Sequence, residues 1–384
     1  MNIHQPLKPL ISLIIPTRER ADTLFFAIKT ALNQNSNSYE VIVSDNFSQD
    51  NTKEVVCGFN DPRLIYINTG RRLSMCDNWD FALDHAKGEY IIFIGDDDAV
   101  MPGAIDKLQA TIQNKHGLVY FWPKPYYAWP KNNHKASVPF LPSNFHPYEI
   151  NLKKSIKFVI SMGGARHASL PTVYHGAVAK SILDKIKERT GRVFHSTYPD
   201  VFIAFSLPAF SEIAINVGYI VTVDGQSPKS NSAVLAYGGT DGIIIHEKYL
   251  KEFGGYKIHS SLFPERSLLS NLLPDTILVA MDKFPQFYND MQFNYSAAWA
   301  YSIRHSKYLK WGVTLRDIIQ KKHQIRNYHP FSILQFSKYY VIHKIFEIYR
   351  NIYTKNIKRK PFLKSVPDNI GEFVNQLSDY QITL

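Results

Sequence analysis

The chain has 384 residues, of which 45% are hydrophobic and 20% are charged, and it carries a formal net charge of +11 with only 2 Cys. This length and composition exclude a wholly disordered chain and indicate one large globular domain or two smaller ones. Two Cys exclude a disulfide scaffold, no Cys/His pairs have zinc spacing, and the longest apolar runs are too short to cross a bilayer. We therefore expect a cytoplasmic protein with reduced thiols and no signal peptide.

The first 120 residues alternate short apolar runs with amphipathic stretches, which is the pattern of a parallel sheet built from βα units. The runs are rich in Ile and Val and apolar on both faces, as buried parallel strands are. They predict strands at 10–15, 40–44, 64–68, 90–94 and 118–121. The stretches between them have helical periodicity and predict helices at 21–33, 50–59, 75–86 and 103–114.

The composition changes after residue 121. A Pro-rich stretch at 122–147 predicts a long loop that borders a site. A helix at 178–189, another after Pro199 and a strand at 213–223 are expected to complete an α/β domain that spans 1–225. Residues 226–284 are rich in Gly, Ser and Pro and predict an irregular segment over the active site. Residues 285–384 predict a basic, aromatic, helical C-terminal extension.

The sharpest chemical feature is the run Gly95-Asp96-Asp97-Asp98, which directly follows the most apolar predicted strand. Three adjacent carboxylates repel one another, so we favour a bound cation over the alternative of a simple acidic turn. Carboxylates at the C-terminal edge of a parallel sheet suit Mn²⁺ or Mg²⁺, and an ion with few protein ligands usually bridges substrate phosphates.

Two further polar loops follow predicted strands. Asp45 and Asn46 end the second strand, where an Asp can accept hydrogen bonds from a nucleobase imide or a ribose hydroxyl. Residues 16–20 lead from the first strand into a helix whose N-terminus favours phosphate. Neither a G-x-G-x-x-G nor a G-x-x-x-x-G-K-[ST] string occurs, which disfavours a dinucleotide dehydrogenase and a P-loop enzyme.

Together these segments resemble the glycosyltransferase family 2 enzymes. The matching strings are IIPTRERADTL, VIVSDNFSQDNT, NWDFALDHAKGEYIIFIGDDDAVMPG and TYPDVFIAF, and they extend over roughly residues 8–225. The resemblance implies a GT-A fold, a Rossmann-like, mostly parallel sheet flanked by helices. It also implies inverting, metal-dependent transfer of a sugar from a nucleotide-diphosphate sugar, with a UDP-sugar favoured. The implied acceptor is a glycan or lipid-linked glycan in bacterial surface polysaccharide synthesis.

The same resemblance implies roles for individual residues. Asp97 is expected to be the first metal ligand and Asp96 the second, with Asp98 beside them, while Gly95 replaces the usual first Asp of the motif. Asp200 is expected to deprotonate the acceptor hydroxyl, although its place at a helix N-terminus would lower its pKa. The residues expected to hold the nucleotide-sugar are Pro16, Thr17, Arg18, Glu19, Asp45, Asn46, Arg71, Asn78, Asp96 and Lys229. Weaker candidates for substrate or phosphate contacts are Arg72, His167, His175 and His195.

The positive charge is concentrated near the C-terminus. Residues 301–360 contain 14 Lys+Arg and 2 Asp+Glu, whereas the first 300 residues have a net charge of +1. A basic, aromatic helix at 333–357, followed by the cluster 358–360, either packs on the catalytic domain or lies on an anionic membrane surface. Nucleic-acid binding is not expected, because the segment contains no known module. The alternatives to a glycosyltransferase are a nucleotidyltransferase and a non-catalytic nucleotide- or glycan-binding scaffold.

Overall fold

The structure is a computed structural model that describes residues 8–130, 146–230, 247–254, 256–259, 262, 269–306, 333–357 and 367–382. The predictions that concern 131–145, 231–246 and the basic cluster 358–360 lie outside the described residues. No helix in the described ranges is both long and apolar enough to span a membrane.

The described elements alternate between strands and helices up to residue 226. The strands are β1 (Ile11–Thr17), β2 (Tyr39–Asp45), β3 (Leu64–Asn68), β4 (Tyr90–Phe93), β5 (Ala99–Val100), β6 (Val119–Phe121), β7 (Tyr126–Ala128), β8 (Tyr148–Asn151), β9 (Gly176–Ala179), β10 (Ile213–Asn216) and β11 (Thr222–Gln226). The helices are α1 (Ala21–Leu32), α2 (Thr52–Cys57), α3 (Met75–His85), α4 (Ala104–Asn114), α5 (Leu152–Ser161), α6 (Lys180–Thr190), α7 (Pro199–Ser206), α8 (Leu269–Lys283), α9 (Pro285–Tyr288), α10 (Tyr295–Ser306), α11 (Ile333–Ile357) and α12 (Ile370–Ile382).

The central sheet has eight strands in the order β3-β2-β1-β4-β9-β6-β10-β8. Its first four strands are mutually parallel, and β6 is parallel to β10, whereas β9 and β8 run antiparallel to their neighbours. A smaller sheet, β5-β11-β7, lies at the same end as the loop that follows β4. The predicted mixed α/β fold with a mainly parallel central sheet is therefore confirmed.

Helices cover both faces of the central sheet. Alternate residues of a strand point to opposite faces, so Leu13 and Ile15 of β1 join a core with α1, α4 and α12, whereas Ile14 joins the core on the other face. That second core contains apolar residues of α3, α5, α6, α7 and α8. The result is a three-layer arrangement in which the ends of the strands, rather than their faces, remain available for ligands.

The predicted elements of the first 120 residues are confirmed, with ends that differ by at most two residues. The single strand predicted at 213–223 is wrong, because the chain turns between β10 and β11. Gly218 adopts φ +78°, and its N–H donates to Asn216 Oδ1 at 3.0 Å. Strand β9 was not expected at all, and β7 interrupts the loop predicted at 122–147.

Two helices depart from the predicted C-terminal organisation. The irregular segment expected at 226–284 contains α8, whose buried face includes Leu273 and Ile277 and packs near α7. Pro274 lies inside this helix and obscures its periodicity. Helix α12 packs against α1 and β5, and its buried Phe373 contacts Tyr127 with ring centroids 5.2 Å apart.

Candidate active site

Three adjacent parallel strands bring polar residues to one edge of the sheet. Thr17 at the end of β1 pairs in register with Asp45 at the end of β2. Strand β4 lies on the other side of β1 and leads directly into Asp96, Asp97 and Asp98. The carboxyl ends of parallel strands are where open α/β folds bind their ligands, so this edge is the candidate active site.

Asp96 anchors the loop that follows β1. Its carboxylate is fully buried and accepts hydrogen bonds from Thr17 Oγ1 at 2.7 Å and Arg20 Nε at 3.0 Å, both through Oδ2. Its Oδ1 forms an ion pair with Arg20 Nη2. Burial raises the pKa of Asp96 to about 7, although Arg20 acts to lower it. Protein groups thus contact both oxygens of the expected second metal ligand.

Asp97 contacts Arg20 and the segment that follows β11. Its Oδ2 accepts the Ser227 N–H at 2.8 Å and lies 3.3 Å from Arg20 Nη1. The main-chain oxygen of Asp97 accepts a hydrogen bond from Trp129 Nε1 at 2.9 Å. Burial raises the pKa of this carboxyl too, against the effect of Arg20. Arg20 therefore bridges Asp96 and Asp97, and the segment after β11 closes over them.

Asp98 belongs to a buried cluster with His175. Asp98 Oδ2 accepts the Tyr174 hydroxyl at 2.7 Å and lies 3.1 Å from His175 Nε2, and Oδ1 accepts the Gly225 N–H at 2.7 Å. His175 Nδ1 lies 2.7 Å from Thr222 Oγ1. Burial alone would raise the pKa of Asp98, but the charge and hydrogen bond of His175 keep it below its usual value.

His175 also has an uncommon backbone conformation, with φ +56°. A non-glycine residue in this region is strained, and such strain concentrates at functional sites where the surroundings hold the residue in place. Here the two contacts of the imidazole, to Asp98 and Thr222, supply that restraint.

The ligand atoms of Asp98, His175 and Asp224 lie within 4.8 Å of one another and form a group that can hold a metal ion. Burial raises the pKa of Asp224, while His175 lowers it and Asp98 raises it. Arg20 and His175 offset part of the negative charge at this edge, and a divalent ion would further reduce the repulsion among the carboxylates. Carboxylate ligands suit Mn²⁺ and Mg²⁺, so the residues present fit such an ion.

Asp45 is held by its own neighbours. The buried carboxylate accepts hydrogen bonds from Tyr66 Oη at 2.6 Å and Asn68 Nδ2 at 2.9 Å through Oδ2. Its Oδ1 accepts the Ser48 N–H at 2.9 Å. These contacts fix the orientation of Asp45 at the sheet edge, and a nucleoside would have to share its lone pairs with them.

Asn46 and Asn78 both connect structural elements. Asn46 exchanges two hydrogen bonds with the main chain of Leu73, at 2.9 and 2.8 Å. Asn78 is buried, and its Oδ1 accepts the Ser44 hydroxyl at 2.7 Å, which ties α3 to β2. Asn78 is thus a buried amide that connects two elements of the fold, and not a surface side chain.

The N-terminus of α1 already has one acidic partner. The N–H of Ala21 donates to Asp50 Oδ2 at 3.1 Å, so a carboxylate lies at the helix end where a phosphate was expected. Phosphate binding at this helix end stays a prediction. In the preceding loop, exposed Glu19 has φ +56° and accepts the Gln49 N–H at 2.8 Å. Pro16 lies within β1 and is half-buried.

Cationic candidates around the site differ in their partners. Arg18 Nη1 lies 3.0 Å from Glu252 Oε2, and Arg72 Nη2 lies 2.6 Å from Glu252 Oε1. Glu252 follows a helical turn at 247–251, so this carboxylate joins two loops at the sheet edge. Arg71 is exposed, and exposed Lys229 directs Nζ to the main-chain oxygen of Glu19 at 3.5 Å.

Asp200 lies in the first turn of α7, beside the acidic edge. Thr172 Oγ1 donates to the main-chain oxygen of Asp200 at 2.6 Å. Burial raises the pKa of the Asp200 carboxyl, whereas the charge of Lys124 and the N–H groups of the helix turn lower it. The lowered pKa expected at this helix terminus is thus wrong, because desolvation outweighs the terminus.

The three histidine candidates have different environments. His175 belongs to the Asp98 cluster. His195 Nε2 lies 3.0 Å from Thr190 Oγ1, and burial lowers its pKa to about 4. His167 begins a short 3-10 turn, with Nδ1 lying 3.3 Å from the main-chain oxygen of Gly164. Only His175 contacts the acidic cluster among these three.

Three residues that contact the acidic cluster were not predicted from the sequence. Arg20 lies in the PTRER string, but nothing local shows that its guanidinium turns back to Asp96 and Asp97. Tyr174 precedes β9 and Asp224 belongs to β11, and neither β9 nor β11 was predicted as a separate strand. A recognised strand break at Gly218 would have been the signal for Asp224.

Comparison with known proteins finds a family match over part of the chain. Residues 12–168 match the family model described as Glycosyl transferase family 2. One relative is the GalNAc(5)-diNAcBac-PP-undecaprenol beta-1,3-glucosyltransferase of Campylobacter jejuni, which is 36% identical over 115 residues, or 29% of this chain and 37% of that protein. Another is the Escherichia coli UDP-Glc:alpha-D-GlcNAc-diphosphoundecaprenol beta-1,3-glucosyltransferase WfaP, 33% identical over 89 residues, or 23% of this chain and 36% of that protein. The chain thus matches about a third of the length of these relatives.

A solved structure supports the fold over a longer range. TarS residues 1–349 from S. aureus, in complex with UDP-GlcNAc, align with a TM-score of 0.50 and 14% identity. The alignment covers 87% of this chain and 91% of TarS 1–349. At this identity the likeness shows that the two chains share a fold and no more.

Proposed function

We propose that the protein is a metal-dependent, inverting glycosyltransferase with a nucleotide-diphosphate sugar as donor, in line with the match of residues 12–168 to the model of Glycosyl transferase family 2. The main support is the convergence of Thr17, Asp45 and the Asp96–Asp98 run at the ends of three adjacent parallel strands. UDP is the favoured nucleotide, since TarS binds UDP-GlcNAc and the name of WfaP specifies UDP-Glc.

The nucleoside is proposed to bind between the β1 loop and the end of β2. Asp45 would accept hydrogen bonds from base or ribose, held in position by Tyr66 and Asn68. Thr17, Arg18 and Glu19 would line the same side. Arg71 and Lys229 are proposed to face the diphosphate, because both are exposed cations on loops at this edge.

Asp97 is proposed as the first metal ligand, with Asp98 next to it. Asp96 would act mainly by holding Arg20 against Asp97, since Thr17 and Arg20 already contact its oxygens. His175 and Asp224 would complete the ligand group on the other side of Asp98. A bound Mn²⁺ or Mg²⁺ would supply positive charge that stabilises the diphosphate as it departs.

Asp200 is proposed as the general base. Its carboxylate would take the proton from an acceptor hydroxyl while that oxygen forms a bond to the anomeric carbon of the donor. The bond from this carbon to the diphosphate oxygen breaks, and its electron pair leaves with the nucleoside diphosphate. Burial raises the pKa of Asp200, which makes its carboxylate a stronger base than an exposed one.

The acceptor is proposed to be a lipid-linked glycan, because the names of both curated relatives specify undecaprenyl-linked substrates. Helix α11 offers a surface for peripheral contact with the membrane that would carry it. Its exposed apolar side chains lie at helical spacing together with exposed cations: Leu334, Lys338, Val341, Lys344, Ile345 and Ile348. An apolar stripe flanked by lysines suits an anionic lipid surface.

A panel of nucleotide sugars tests the enzymatic proposal. Donor hydrolysis or transfer is measured in Mn²⁺, in Mg²⁺ and in EDTA, for the wild type, Asp97→Ala and the control Asp22→Ala. Asp22 is an exposed acid on α1, so its loss should leave activity unchanged. We expect EDTA and Asp97→Ala to abolish turnover while circular dichroism remains native. Full activity in EDTA, or in Asp97→Ala, would refute the metal role.

Sedimentation with vesicles tests the membrane contact. The wild type should bind vesicles that contain phosphatidylglycerol, and binding should weaken in Ile345→Ser and in Lys338→Glu, whose side chains lie on the exposed stripe. Equal sedimentation of wild type and both variants would contradict this surface.

A further inference from the structure

A cavity of about 340 Å³ opens next to the Asp98 cluster, on the side away from β1 and β2. Its walls come from the ends of β6 and β10, from Tyr148 and from residues 168–175. Tyr174 and His175, which both contact Asp98, form one boundary, and Thr172, which hydrogen-bonds the main chain of Asp200, lies in the same wall. The cavity therefore adjoins the acidic cluster at one boundary and the Asp200 turn at another.

The side chains of the cavity combine flat apolar surfaces with polar groups. Phe121 and Tyr148 meet edge to face with ring centroids 6.2 Å apart, and Tyr148 is 45% exposed. Lys124, Ser169 and Asn216 provide polar atoms in the same walls. Aromatic rings beside a few hydrogen-bonding groups suit a pyranose, whose C–H face packs on a ring while its hydroxyls reach polar partners.

Without a bound metal ion, the carboxylates near the cavity disfavour an anionic ligand. The charge of Lys124 acts on both Asp200 and Asp224, so this cation already has two carboxylates near it. A carboxylate or phosphate ligand would add a third negative charge to the same neighbourhood, where like charges repel. A neutral sugar carries no such penalty.

We propose that this cavity binds the terminal sugar of the acceptor, and that this sugar is a neutral pyranose packed against Phe121 and Tyr148. The proposal rests on the glycosyltransferase function proposed above. The cavity volume of about 340 Å³ lies within the range of roughly 300–1,000 Å³ for small-molecule pockets. It matches one pyranose ring with part of the adjoining sugar. The cavity would therefore select the acceptor sugar, whereas the edge of the sheet would bind the nucleotide of the donor.

Binding is tested without donor or metal, by saturation-transfer NMR on the full chain. The probes are the methyl glycosides of glucose, galactose, mannose, N-acetylglucosamine and N-acetylgalactosamine, with methyl glucuronide as the anionic probe. Ala168 is exposed at the cavity, so Ala168→Trp should block it, and Ala110→Trp, at an exposed position of α4, is the matched control. Tyr148→Ala removes one ring face from a half-exposed position and should leave the fold intact.

We expect at least one neutral glycoside to bind the wild type and Ala110→Trp equally, to lose binding in Ala168→Trp, and to bind Tyr148→Ala about three- to tenfold more weakly. The proposal is overturned if no neutral glycoside binds, if Ala168→Trp binds like the wild type, or if methyl glucuronide binds as tightly as the best neutral probe. Wild-type donor hydrolysis is measured separately. Donor hydrolysis without glycoside binding therefore refutes only the proposal about the cavity. Glycoside binding without donor hydrolysis refutes only the enzymatic proposal.

Discussion

Replacing Arg20 with Met removes the cation that bridges two buried carboxylates. The guanidinium donates to Asp96 from Nε at 3.0 Å and approaches Asp97 Oδ2 at 3.3 Å, and its own side chain is 19% exposed. Breaking a buried pair by removal of one partner costs about 3–5 kcal/mol, because the remaining charge stays buried without compensation. With partial exposure of Arg20, we expect a loss near the lower end, about 3 kcal/mol.

The second variant of the cycle is Asp96→Asn, which keeps the shape of the side chain and removes its charge. In the double variant no unpaired charge is left at position 96, so Arg20→Met should cost less there than in the wild type. Residues in direct contact typically show interaction energies of about 0.5–3 kcal/mol, and this pair is fully buried on the carboxylate side. We expect a coupling of at least about 1 kcal/mol.

Urea unfolding in EDTA at pH 7.5, followed by tryptophan fluorescence, measures the cycle without bound metal. Lys180→Met provides a comparison, because Lys180 pairs with exposed Asp184, away from the acidic edge. Strictly additive effects of Arg20→Met and Asp96→Asn would show that the bridge contributes no coupling. That result would refute the assignment of Arg20 as the group that holds the acidic run together.

Three further predictions concern activity. Asp200→Asn should abolish transfer but not donor binding. Because burial raises the pKa of Asp200, the wild-type transfer rate should begin to fall at a higher pH than it would with an ordinary carboxylate as the base. A transfer rate that stays constant down to pH 4 would contradict this. Glu252→Gln should release its two arginine partners and tighten binding of UDP several-fold by calorimetry, whereas weaker binding would show that Glu252 supports the site. Gly225→Ala should impair metal-dependent turnover, because the added Cβ would overlap the main-chain oxygen of Asp97, and wild-type turnover would show that the two segments separate freely.

The sequence was sufficient for the fold of the first 120 residues because its strands are continuous runs of Ile and Val with helical periods between them. The sequence also predicted that Thr17, Asp45 and the Asp96–Asp98 run lie at one edge of the sheet, because the carboxyl ends of parallel strands lie at the same edge. What it could not supply were the partners of these side chains. That Asp45 is held by Tyr66 and Asn68, or that Arg20 bridges two carboxylates, depends on side-chain directions across strands.

Contacts between distant parts of the chain could not be predicted for a different reason. The short strand β9 inserts antiparallel between β4 and β6, although its four residues have no alternation to mark them. The members of the Asp98–His175–Asp224 group follow β4, precede β9 and lie in β11, three elements that are far apart in the chain. Such a group is visible only once the topology is known.

Helix α12 has a consequence for how the protein is made. Its buried Ile370, Phe373 and Leu377 cover apolar surface of α1 and β5, so almost the whole length of the chain separates the two sides of this contact. At about 5–20 residues per second, a ribosome would need tens of seconds between releasing α1 and releasing α12. During that interval the face of the first helix stays exposed to water and to chaperones. A fragment that ends near residue 225, although it contains the family-matched region, would keep that face exposed permanently and should be prone to aggregate.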